Sequence, residues 1–454
     1  MNAQTQAFGQ AAAVDAAQQS RWGFAEWFAL SQTALPALLI LPGTQAIRLP
    51  IRTSAFGISL AALGWYVISP HAKIRQSRAQ SWVFGVMALL AVMLFHPSTP
   101  NFLGGLAHLT VYFAVMAPLF WAPVLVDTPE RLARIMWILL ICAGANSVVG
   151  VLQVYDPARW LPAEFSRVLV EQDMGLGPVT FIGPNGQMMV RPPGLFDTPG
   201  AVAGPAAYAA LLGLVFAVSQ TETWKRLLSL VFAGAGLGAI YLSQVRISWA
   251  AALAMMLAYA MTLARQEKFA RATQFALLAG GVFLGGFLLA VALGGQTISD
   301  RFMTIFASDP ITVYRGARGA HLDMAFGELL VDHPFGAGLG RWGMPAAYFS
   351  EFTDANPPIW AEIQLAGWMI DGGVLMVALY VGALLVTALT QWRVAMVKGH
   401  PRLATCGAVV MAANLGTALM IFSFTPFVAQ LGIQYWFLAG ALHGVATRQG
   451  LEGA

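Results

Sequence analysis

Apolar runs of about 20 residues recur from one end of this chain to the other, and each is long enough to cross a hydrocarbon core of about 30 Å as a helix. No other feature limits the fold so severely. Within lipid the backbone has no water to bond, so a crossing segment must close its hydrogen bonds as a helix or join a closed barrel. The period-2 alternation that a barrel needs is absent. Composition agrees: 58% of the 454 residues are hydrophobic and only 10% are charged, against about 25% charged in soluble domains. The sequence predicts an all-α, polytopic integral membrane protein.

Twelve candidate spans fall near 24–44, 55–70, 81–96, 104–126, 132–153, 199–219, 226–243, 247–264, 273–294, 360–390, 403–422 and 426–446. Lys73, Arg75 and Arg78 follow the second span, Arg131 and Arg134 the fourth, and Lys225 and Arg226 the sixth. Arg265, Lys268 and Arg271 follow the eighth, and Arg393, Lys398 and Arg402 the tenth. Short loops after odd-numbered spans hold only Arg48, Arg52 and Arg246. Basic loops are retained in the cytoplasm, which predicts both termini on that side. The net charge of +4 is then an orientation signal and not a nucleic-acid footprint. Residues 1–23 read as a cytoplasmic tail, polar and rich in Ala and Gln, without the basic and short apolar regions of a signal peptide. Residues 447–454 form a second tail. Cys142 and Cys406 fall inside apolar runs and lack the spacing of a zinc site or a disulfide framework, which favours a core role.

The same alternation sends two long segments outside. One, 154–198, interrupts the block of nine spans over 24–294; the other, 295–359, separates the ninth span from the last three, which occupy 360–446. Connections of that length are usually functional. The second ends beside "PPIWAEIQLAGWMIDGG", which puts Glu362 just inside the start of an apolar run. A carboxylate at that depth is costly unless it is neutral, paired or put to use.

Arginines gather at the same predicted level. Arg246 stands at the boundary of spans seven and eight in "SQVRISWAA"; it either snorkels to headgroups or faces a cavity holding an anion. Arg191 opens "RPPGLFDTPG", where two prolines hold the preceding backbone extended and glycines suit tight turns. From Arg315 to Val331 apolar residues recur at helical spacing, which predicts an amphipathic helix outside the membrane or in its interface. Arg315 and Arg318, three apart, share one face of it. The glycine-rich turn "HPFGAGLG" follows, without the basic residue of a P-loop. His321 and His333 make no metal set with their neighbours. A reaction without a divalent metal or other cofactor is expected, with guanidinium groups neutralising phosphate in place of a metal.

Together these stretches resemble the superfamily of O-antigen ligases and O-antigen or exopolysaccharide polymerases, bacterial inner-membrane glycosyltransferases that use polyprenyl-diphosphate donors. "RPPGLF" is similar to the family's R-x-x-G-x-F turn, "SQVR" to its Ser-x-x-Arg helix start, and "ARGAHLDMAFGELLVDHPFGAGLGRW" to the opening of its signature region. The resemblance implies a GT-C-like arrangement of about twelve transmembrane helices with a large periplasmic segment between spans nine and ten. Members often carry a His-Asn pair nine residues before an acidic residue near glycine. Here Asp371 precedes Gly372 and Gly373, and Glu362 stands where the histidine would be.

What the resemblance implies is a metal-independent, inverting transfer of a glycan from undecaprenyl diphosphate to an acceptor hydroxyl, on the periplasmic face of the cell inner membrane. Glu362 would be the base or acceptor positioner, and Arg191, Arg246, Arg315 and Arg318 would hold the diphosphate. The partners are the lipid-linked donor, a glycan or lipid-linked acceptor, and membrane lipids. The missing histidine favours a polymerase over a ligase acting on lipid A core. Outside the enzyme class, a transporter or flippase of lipid-linked sugars is the rival. Such proteins show internal repeats and broken helices near the midplane, and the sequence has no convincing repeat.

Overall fold

The computed structural model describes residues 21–69, 76–162, 180–182, 188–196, 198, 200–295, 298–299, 303, 312, 314–354 and 356–451. Most of the predicted tail, Lys73, Arg75, much of 154–198 and most of 295–313 lie outside these residues. Each of the twelve predicted stretches contains a helix. In order they are α1 (Phe24–Ala37), α2 (Arg48–Ile68), α3 (Arg78–Met93), α4 (Phe102–Met116) with its continuation α5 (Pro118–Leu125), α6 (Pro129–Tyr155), α7 (Ala203–Ser219), α8 (Thr223–Ser243), α9 (Arg246–Arg265) and α10 (Phe269–Gly294). After the second long segment come α13 (Gln364–Ala395), α14 (Pro401–Leu419) and α15 (Gln430–Arg448). Among the described residues, eight helices are long and apolar enough to cross a membrane, and α3, α7 and the 24–40 stretch are shorter apolar helices. The protein is a helical membrane protein.

Local chemistry sets several helix starts. Ser77 and Gln80 bond each other's backbone N–H at 3.2 and 2.8 Å, a capping box that opens α3. The Asn101 side chain accepts from the Gly104 N–H at the start of α4. Thr128 does the same for Arg131, ahead of a proline at the first position of α6. Helices apolar all round go to the middle: α7 and α15 are buried along nearly their whole length. α7 is made largely of Ala, Gly and Leu, and it approaches α8 so closely that a Cβ at Gly213 or Gly236 would meet backbone of the facing helix. α10 lies at the periphery, where Leu277, Leu284 and Leu288 are exposed, the disposition of a lipid-facing helix.

Three features depart from the sequence reading. A two-stranded antiparallel hairpin, β1 (Thr180–Ile182) and β2 (Met188–Val190), sits in the first long segment. Arg48 and Arg52 belong to α2 and not to a loop, and Arg48 is buried. The tenth span begins at Gln364 and not at 360, so Glu362 precedes the helix.

The second long segment is partly buried within the protein. Residues 315–332 form the expected helix, α11, in four consecutive pieces of which Arg315–Gly319 and Met324–Glu328 are π-turns. Ala325 and Leu329 are buried, and Leu322 and Met324 pack against the core. Beyond it the glycine-rich loop 336–342 runs inside the bundle, wholly buried, and the short α12 (Gly343–Phe349) follows. The loop fits because α13 is broken. Gly372 and Gly373 leave helical geometry, with φ of 62° at Gly373, where a Cβ would collide with the Pro334 carbonyl. The freed backbone groups are satisfied across the gap: Val374 N–H donates to the Pro334 carbonyl at 3.0 Å and Ala337 N–H to that of Ile370 at 2.6 Å. At 1.5 Å per residue, 374–395 alone extends about 33 Å. It is long enough to cross lipid unaided, so the break lies towards one end of the helix.

Candidate active site

The first wall of the site is built from a locked turn. Beyond β2, Pro192 and Pro193 are buried, and Gly194 exchanges two hydrogen bonds with the Gln153 side chain, both 2.8 Å. Leu195 N–H donates to the Asn146 side chain at 2.6 Å. Gln153 and Asn146 are fully buried polar residues of α6. They fix the turn that aims Arg191 over Gly200, where a Cβ would touch Arg191 Nη2 at 3.5 Å and Val245 at 3.4 Å. Val245 belongs to the tight turn between α8 and α9, closed by Gln244 in the left-handed region (φ 58°). Arg246 is the next residue and opens α9.

The second wall comes from α11 and the extended stretch 357–362. Arg318 forms an ion pair with Glu362. The other Glu362 oxygen accepts from Trp360 Nε1 at 2.9 Å, and His321 Nε2 stands 3.8 Å from the paired oxygen. Tyr314, one turn before Arg318, donates its hydroxyl to the Phe422 carbonyl at 2.8 Å and ties α11 to the end of α14. Of the five residues predicted for the site, Arg318 and Glu362 are joined directly. Arg191 lies within electrostatic reach of Arg318. Arg246 follows Val245, which shares the surroundings of Gly200 with Arg191. Arg315 is not part of the group: it is exposed, with its stem against Gly319, and it makes no ion pair among the described residues. The π-turn between them takes Arg315 off the face that carries Arg318.

The electrostatics follow from crowding. Burial pulls the Arg191 guanidinium below its usual range. Burial, and next the charge of Arg191, do the same to Arg318. Burial and the Arg318 charge also lower His321, which favours its neutral imidazole. Among the described residues, two guanidinium groups share the site with one carboxylate. About a third of the Arg318 and Glu362 side chains is exposed. The local excess is positive and open to a solute, the condition for binding an anion.

An apolar cleft lies between the middle of α9 and α10. Its volume is about 510 Å³, and Tyr241, Leu253, Met256, Leu257, Phe283 and Phe287 are among its lining residues. Leu253 lies about 10 Å along the helix from Arg246. Leu253, Leu257 and Leu284 are exposed on the bundle's outer surface, so the cleft opens sideways.

Several residues escaped sequence reasoning. Asn146 and Gln153 carried a signal, two amides seven apart on one face of an otherwise apolar run. Asp371 was visible only as a spacing mark. It is fully buried, accepts from Tyr112 Oη at 2.6 Å and Trp342 Nε1 at 2.9 Å, and faces His108 Nε2 at 3.7 Å. That group joins α4, the buried loop and α13, contacts between positions too distant in sequence to show as a motif. The sequence presents His321 only as a possible metal ligand; among the described residues no cluster of three or more His, Cys, Asp or Glu could hold a metal. Cys142 and Cys406 are both buried thiols. Comparison of the chain with protein-family models finds no match, and comparison with curated proteins finds none.

Proposed function

We propose that the protein is a membrane glycosyltransferase that moves a glycan from a polyprenyl-diphosphate donor to an acceptor hydroxyl at the periplasmic face of the bacterial inner membrane. The observation that carries this reading is the partly exposed Arg318–Glu362 pair with the charge of Arg191 acting on Arg318, a positive excess among the described residues. A diphosphate supplies the charge that the group lacks. The arginine fork matches its oxygens bidentately. The cleft beside α9 offers an apolar slot of the kind an isoprenoid chain needs, beginning about 10 Å along the helix from Arg246.

The chemistry is a displacement. The acceptor oxygen attacks the anomeric carbon and a new C–O bond forms. The bond from that carbon to the diphosphate oxygen breaks, and its electron pair leaves on the lipid diphosphate. The acceptor proton passes to Glu362. Arg318, which now pairs Glu362, exchanges that partner for diphosphate, which frees the carboxylate for the proton. Arg191 and Arg246 stabilise the charge on the departing group. Direct attack inverts the anomeric centre, and arginines neutralise the phosphates without a divalent metal. Polymerisation of an exopolysaccharide or O-antigen repeat is the favoured form, with attachment to lipid A core as the alternative.

One observation speaks for a transporter of lipid-linked sugars: a broken membrane helix beside buried Asp371. Yet the part of α13 beyond the break is long enough to cross by itself, and a break near a helix end suits a site at the membrane surface better than one at the midplane. The test is turnover of lipid-linked glycan by the purified protein with a chelator present. Glu362→Gln should bind donor and stall; full activity in that variant removes Glu362 from the reaction. Movement of labelled donor across vesicles without change in its glycan would replace the enzyme with the transporter.

A further inference from the structure

The glycine-rich loop ends in an arginine that the proposed chemistry does not use. Arg341 is buried, 4% exposed. Its Nε and Nη2 both donate to a single oxygen, the Pro357 carbonyl, at 3.1 and 2.6 Å. Its own carbonyl accepts from Ile359 N–H at 2.9 Å. Burying a cation on one neutral oxygen is expensive, so its value lies in geometry. Two donors from one rigid fork fix the direction of that carbonyl as well as its distance. Pro357 and Pro358 have no N–H, so Ile359 supplies the first amide after Asn356, and Arg341 holds that one too.

The clamp has a firm base. Arg341 precedes Trp342, whose indole is bonded to buried Asp371, and it follows Gly340, whose N–H donates to His108 Nδ1 at 3.2 Å. The far end of the stretch is pinned as well: Gln364 N–H donates to the Phe424 carbonyl at 3.0 Å, and the Gln364 side chain accepts from Phe427 N–H at 2.9 Å. Glu362 lies between the two anchors, three residues beyond the amide that Arg341 holds.

We propose that Arg341 is a positioning residue which, by clamping the stretch Pro357–Glu362, sets the Glu362 carboxylate against Arg318. The inference rests on the glycosyltransferase reading for its catalytic consequence, while the clamp itself can be tested without it. The experiment uses the full chain in nanodiscs. Hydrogen exchange is followed in the peptide covering 357–362, alongside donor affinity and turnover. Arg341→Gln should speed exchange in that peptide roughly tenfold, the loss of a charged hydrogen bond. It should lower kcat roughly tenfold and leave donor affinity within about twofold. Arg341→Lys, which keeps the charge and one donor, should fall between. If it does, global unfolding is not the cause. Unchanged exchange in Arg341→Gln would overturn the clamp. A loss of donor affinity matching the loss of kcat would overturn it in favour of direct contact with the diphosphate. Altered exchange in a protein whose wild type shows no turnover would overturn the functional reading and leave the clamp standing.

Discussion

Two carboxylates of this protein each face guanidinium groups, at opposite ends of the bundle. Glu26, in the first turn of α1, is fully buried and receives two bonds from Arg131, at 2.8 and 2.9 Å, with Arg134 at 3.7 Å and the Gly23 N–H at 2.9 Å. Three hydrogen bonds and a second guanidinium hold the carboxylate, and the pair staples α1 to α6. Glu362 is partly exposed, on an extended stretch outside any helix, and shares its surroundings with two guanidinium groups, an imidazole and an indole. The same ionic chemistry gives a closed fastening in one place and an open, positively biased pocket in the other. Exposure decides between them. A buried pair is costly to break, whereas a pair exposed by a third adds little to stability and can exchange partners.

That contrast can be broken by mutation. The largest effect is expected from Glu362→Gln: turnover should fall about 10³-fold, roughly 4 kcal/mol of barrier, while the midpoint of unfolding in detergent moves little. Glu26→Gln should do the opposite, lowering unfolding stability by about 3 kcal/mol and sparing turnover per folded molecule. If both variants lost stability alike, the two ends would not differ in kind. Arg318→Lys should weaken donor binding about tenfold through loss of the bidentate contact, measured by titration with a polyprenyl diphosphate. The smallest effect belongs to His321. Burial and Arg318 hold its folded pKa below 6.5, so the unfolded chain takes up the proton first as pH falls. Stability should therefore decline as pH drops below about 6.5, and His321→Gln should flatten that slope in a pH series of unfolding midpoints.

The site was legible in proportion to how local its signals are. Arg318 stood out because it is a charge on an amphipathic helix, and Glu362 because it is an acid beside an apolar run. Arg315 looked equivalent to Arg318 on the assumption of an α-helix. The π-turn that separates them changes the angle per residue, and no propensity in "RGARG" announces it. The start of α13 was misjudged by four residues because apolar content extends past the true helix, while Pro357 and Pro358 already hold the preceding chain extended.

Chain chemistry alone determined that this is a bundle of apolar helices, since lipid leaves the backbone no other hydrogen-bond partner over runs of this length. It also determined which turns would carry arginine. Packing decided the rest. Only the folded protein drives the loop 336–342 into a gap in α13, joins Asp371 to Tyr112 and Trp342, and sets His321 beside Glu362. Those contacts unite residues tens to hundreds of positions apart. Their register depends on how glycine-lined helix surfaces meet, which a periodicity of 3.6 residues along one chain does not encode.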